Sequence, residues 1–119
     1  SKISYEASTR GFYEKVWITK DSIIVTEDRN HGSNMSYPTP EKDWNELTKL
    51  LKDVDVTEMP NLEAPTSMRD HDGAAFATLA VFEGDNETKS NTFDHGHPPK
   101  AIEPVVNKVL SMKEKYQKN

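Results

Sequence analysis

Three of the chain's four histidines fall in two short clusters, Asp70-His71-Asp72 and Asp94-His95-Gly96-His97. Imidazole and carboxylate together are the donor types of a divalent-metal site. His95 and His97 are two residues apart, so on an extended chain they point to the same side. The clusters flank a hairpin: an uncharged apolar run over 74–82, a turn at Gly84-Asp85-Asn86-Glu87, and a return over 88–94. A turn centred on Asp85-Asn86 pairs Gly84 with Glu87, which sets His95 opposite Phe76 and His97 opposite Ala74. His71 then lies about 10 Å beyond Ala74 at the strand rise, a gap that a folded-back loop closes. A zinc-type site built from His71, His95, His97 and Asp94 is therefore geometrically open. The plainer reading stands ahead of it, because Asp and His also serve turns and caps through backbone hydrogen bonds.

Other chemistry finds less support. Cysteine is absent, which removes a thiol nucleophile and a thiolate metal site. No serine sits in a strand-turn-helix elbow, and the five glycines never form a phosphate-binding array. Acidic residues number 20, so carboxylate pairs arise without meaning. The expectation is a protein without catalysis, one that binds. A net charge of −5 repels nucleic acid and anionic membranes. The basic residues Lys108, Lys113, Lys115 and Lys118 gather where a last helix would end, and there they complement its dipole. No nucleic acid is expected as a partner. No apolar run reaches the length of a membrane span. The chain opens at Ser1 without Met, so a processed or trimmed start is expected, with any targeting segment lying outside this chain.

The elements that would position these residues can be read from periodicity. Apolar residues make up 34%, a lean supply, yet four Phe, four Tyr and two Trp suffice for one core. Residues 12–18 alternate, with Phe12, Val16 and Ile18 on one face and Tyr13, Lys15 and Trp17 on the other. After the turn Lys20-Asp21, the β-branched run 22–26 completes a hairpin. Residues 3–5 read as an edge strand, and 28–34 as a polar loop. Thr39 is placed to cap a helix, with Pro40 first and a stripe of Trp44, Leu47, Leu51 and Val54 following. Residues 56–60 read as a connector that packs Met59 and Leu62 under that helix. A second stripe is Ile102, Val105, Val106, Val109 and Met112; Pro104 argues that regular helix begins near it.

Apolar residues recur at the same offsets from Pro40 and from Pro98, so the chain reads as one α+β domain of two β-β-α units, 1–60 and 61–119. The expected architecture is an antiparallel sheet of about four to five strands with two helices packed on one face. Tyr13, Trp17, Phe76 and Phe82 then point away from the helices. They form either an open recognition surface or one covered by residues 3–5 and 59–65.

The order of these landmarks resembles the emfourin family, small bacterial inhibitors of protealysin and related thermolysin-like metalloproteases. Carrying the resemblance are Ser8-Thr9-Arg10-Gly11-Phe12 opening the hairpin, the helix started by Thr39-Pro40, and Asp55-Val56-Thr57-Glu58-Met59-Pro60 closing it. A long strand, an Asp-ended strand and Pro98-Pro99 before a short apolar helix complete it. Arg10 before Gly11-Phe12 and the two Asp-His clusters depart from the family pattern. The resemblance implies a compact βα domain that blocks a zinc protease by inserting loops into its cleft, and the setting expected is periplasmic, envelope-anchored or secreted. The contact residues to watch are Arg10, Gly11, Phe12, Tyr13, Trp17 and His31, in and beside the loops 8–12 and 28–34, with His31 a ligand candidate for the protease's zinc. The alternatives are a divalent-metal-binding protein and a structural envelope protein that assembles through its aromatic sheet face.

Overall fold

The computed structural model describes residues 1–117, so Lys118 of the basic cluster lies outside the described residues. Seven strands form one antiparallel sheet: β1 (Lys2–Ser8), β2 (Tyr13–Ile18), β3 (Ser22–Thr26), β4 (Asn34–Pro38), β5 (Phe76–Glu83), β6 (Asn86–Lys89) and β7 (Phe93–Asp94). Two α-helices, α1 (Glu41–Leu51) and α2 (Glu103–Gln117), complete an α+β fold. The strand order is β4-β3-β2-β1-β5-β6, and β7 continues along β5 where β6 stops.

Strand alternation sorts side chains between two faces. Ile3, Tyr5, Ala7, Val16, Ile18, Ile23, Val25, Ala77, Leu79, Val81 and Phe93 share one buried cluster with Leu47, Met59 and the stripe Ile102, Val105, Val106, Val109 and Met112. Both helices therefore cover the same face. Leu47 is the one buried residue of α1, so its truncation to Ala costs about 2–5 kcal/mol. Met59 is fully buried and Leu62 packs partly against the cluster, as the connector reading expects. Helix α2 starts one residue before Pro104, where a missing N–H costs nothing.

Several expectations are corrected. Strands number seven rather than four to five, because β4 follows the loop directly and the return strand is broken into β6 and β7. β1 is no edge strand: it pairs with β2 on one side and β5 on the other. Its three core-facing residues, Ile3, Tyr5 and Ala7, are too few for periodicity to separate a centre from an edge. The second hairpin turns on Gly84-Asp85, pairing Glu83 with Asn86, because Gly84 adopts the positive φ of 60° that the first residue of such a two-residue turn demands. Thr39 does not cap α1; its hydroxyl donates to the Thr19 carbonyl at 2.8 Å and ties the helix start to the first hairpin. The described helices include none long and apolar enough to cross a membrane.

Candidate functional site

The register decides which loops meet. Ser8 pairs with both Tyr13 and Phe76, Thr26 closes β3 beside Lys15, and Phe76 pairs with Asp94. One end of the sheet thus collects the loop 9–12, the loop 27–33, the start of β5 and the segment after β7. The two loops and the histidine segment singled out from the sequence lie there together.

The loop between β1 and β2 is a short tip. Thr9 N–H donates to the Phe12 carbonyl at 2.8 Å, leaving Arg10 and Gly11 as its exposed apex. Phe12 is 38% exposed and leans towards His95, with ring centroids 6.5 Å apart. The loop 27–33 is organised by Asp28, whose carboxylate accepts from the backbone N–H of Asn30 at 2.9 Å and Gly32 at 2.8 Å. These bonds hold the Asp28 carboxyl below its usual range. A side chain at Gly32 would meet Asp28 Oδ2 at 3.1 Å, so the turn closes best around glycine.

Arg29 then braces one loop against the other. Its guanidinium donates to the Thr9 carbonyl at 2.7 Å and lies 5.2 Å from the Tyr13 ring centre. His31, in the left-handed region at φ 57°, stands edge-on to Trp17 at 5.0 Å. Tyr13 spends its hydroxyl proton on Glu6 Oε2 at 2.6 Å, so His31 Nε2–H donates to the phenol oxygen at 2.8 Å. Burial and the Glu6 contact both raise the Tyr13 phenol above its ordinary range. His31 is thus an anchored ring on the sheet face.

The second histidine segment is committed to the fold. Asp94 is fully buried and accepts from Thr66 Oγ1, Met68 N–H at 2.7 Å, Arg69 N–H at 3.0 Å and the Arg69 guanidinium at 3.0 Å. Burial pushes its carboxyl upward, but these four donors outweigh it and hold the group well below the carboxylate range. His95 lies under the Phe12 tip. Burial keeps Tyr5 protonated, and its hydroxyl donates to His95 Nδ1 at 2.9 Å. His95 Nε2 faces Glu14 Oε1 at 4.0 Å, while Glu14 Oε2 takes Lys113 at 2.8 Å. Burial lowers the His95 pKa, against the pull of Glu14.

His71 and His97 are both exposed. Among the described residues no group of three or more His, Asp and Glu side chains is gathered as a donor set. His71, His95, His97 and Asp94 therefore do not converge as the hairpin reading expected. The revised register is one reason, setting His95 N–H on the Ala75 carbonyl, and the prior use of Asp94 is the other. Sequence reasoning missed Arg29, Tyr5, Glu14, Lys113 and Arg69. Their partners lie up to 99 residues away, and no local spacing announces them.

The aromatic face follows the alternation expected. Trp17, Phe76 and Phe82 lie on the side opposite the core cluster, and Phe76 is 47% exposed. Neither expected cover lies over them, because residues 3–5 are within the sheet and Met59 is in the core. Comparison with protein-family models and with curated proteins gives no match for this chain.

Proposed function

We propose that this is a protein-binding module without catalysis, which acts through the braced loops at one end of the sheet, and that its target is a thermolysin-like metalloprotease. The observation that carries the reading is the Arg29 brace: it joins the Arg10-Gly11 apex to the His31 loop. Two exposed loops tied by a guanidinium and an imidazole lose little conformational entropy on docking, which is what a loop-inserting inhibitor requires. Arg10 and Phe12 make the first contact in this reading, and Gly11 allows close approach of the partner backbone. Tyr13, Trp17 and His31 form the rigid floor behind them. His31 is the less suited to bind the protease's zinc, since its Nε2–H is engaged with Tyr13. A periplasmic, envelope-anchored or secreted setting follows from the same reading.

The test is titration of the protein into a thermolysin-like metalloprotease while cleavage of a small peptide is followed. Stoichiometric loss of activity, weakened about tenfold or more by Phe12→Ala, is the expected result. Undiminished cleavage by every member of a panel of thermolysin-like proteases at a large excess removes this target class. A second reading, assembly through the sheet face, draws on the exposed Phe76 and the half-buried Trp17 and Phe82. A strictly monomeric protein at high concentration would exclude self-assembly through that face.

A further inference from the structure

We propose that the outer edge of β4 is a separate binding site, one that takes an extended peptide with Lys or Arg at alternate positions. β4 ends the sheet and pairs with β3 along all five of its residues. Such an edge offers unpaired N–H and C=O groups, and proteins usually blunt it with charge, interruption or cover. The opposite edge has all three. Glu87 and Lys89 lie in β6, residues 90–92 interrupt the strand, and the 3-10 turn Val56–Asn61 packs alongside. β4 reads Asn-Met-Ser-Tyr-Pro, carries no charge and leaves Met35 61% exposed; its one blunting residue, Pro38, is the last.

The ligand class follows from the groove beside this edge. It has a volume of about 610 Å³ and an apolar wall of Val25, Met35, Tyr37 and Tyr116. Tyr116 stacks on Tyr37 at 4.7 Å and donates to the Pro38 carbonyl, so the end of α2 closes the far side. The charged residues lining it are Glu27 and Asp28. The Asn30 and Gly32 amides keep Asp28 ionised. A strand added to β4 sends every second side chain towards this groove. An apolar wall with carboxylates at its rim fits a side chain with an aliphatic stem and a cationic head. A second copy of this chain fits less well, since its own β4 has no Lys or Arg to place there. The site shares Glu27, Asp28 and Ser33 with the loop 27–33 but runs along the sheet's side, away from the Arg10-Gly11 apex, and does not rest on the inhibitor reading.

The experiment titrates the ¹⁵N-labelled full chain with an acetylated, amidated (Lys-Val)₄ peptide and, in parallel, with (Glu-Val)₄. The expected result is amide shifts along 34–37 and slowed β4 amide exchange with the lysine peptide alone. Met35→Lys and Glu27→Lys, both at exposed positions, should each weaken binding about fivefold or more and leave the rest of the spectrum unchanged. Phe12→Ala should bind the peptide as the unaltered chain does. The proposal is overturned if the lysine peptide leaves β4 unshifted, or if (Glu-Val)₄ binds equally well. A concentration-dependent dimer with β4 amides protected would instead give this edge to a second copy.

Discussion

Asp94 and Asp28 each gather backbone N–H groups from a nearby turn, and both carboxyls are held below their usual range by doing so. Their settings are opposite. Asp94 is at 0% exposure and joins segments 25 or more residues apart; Asp28 lies in a surface loop and binds residues two and four ahead. The first fixes the course of the chain, and the second fixes the shape of one loop. The same chemistry therefore serves the fold in one place and presentation in the other.

Asp94→Ala should break this comparison most visibly. It leaves the Arg69 guanidinium and two backbone donors of a turn without their acceptor, so a fall in Tm on the order of 10 °C is expected by calorimetry. Asp28→Ala should lower Tm by only about 2–4 °C, since its loop faces water. A similar loss in the two variants would refute the division of roles.

Acid sharpens the contrast. Both carboxyls have folded pKa values below their unfolded ones, so the unfolded chain binds more protons as the pH falls. Their stabilisation is complete above the ordinary carboxylate range and is lost as pH drops through it towards the depressed values. Thermal melts should therefore weaken below about pH 4, and Asp94→Ala should flatten that slope more than Asp28→Ala does. His95 adds a gentler loss that begins below about pH 6.5, because burial lowers its pKa and its neutral form suits the fold. In Glu14→Gln the His95 pKa, followed by NMR titration, should move lower still.

Arg29→Ala should have the smallest effect on melting, about 2 °C or less, because its bonds are exposed. Its effect should show in motion: faster amide exchange at residues 9–12 and, under the proposed inhibitor reading, weaker inhibition of a thermolysin-like protease, with Tm nearly intact. A large fall in Tm would move Arg29 from presentation to fold.

How far the sequence could be read follows the same division. Elements whose evidence is local were legible: the β2–β3 hairpin, the stripes of both helices (except that α1 ends at Leu51, before Val54), the start of α2 at Pro104 and the sorting of Trp17 and Phe76 away from the core. Features set by distant partners were not. β1 owes its central place to β5, some 70 positions later, and Asp94 owes its role to the turn at 66–69. Asp94 looked like a metal ligand because a carboxylate beside histidines has the same sequence signature whether it receives a cation or a row of amides. The Arg29 brace was invisible for a simpler reason: one arginine in a polar loop carries no sign of the carbonyl it will reach.

The central position of β1 also bears on how the chain assembles during synthesis. The strands β1 to β4 form a meander in chain order, complete by Pro38, but the free side of β1 is covered only when Phe76–Glu83 arrives. Until then Ile3, Tyr5 and Ala7 lie on an unprotected margin of a half-built sheet. Closing a loop of that length is slow compared with forming hairpins. A nascent chain halted before β5 would expose this margin, where chaperone capture or pairing with a neighbouring chain competes with completion.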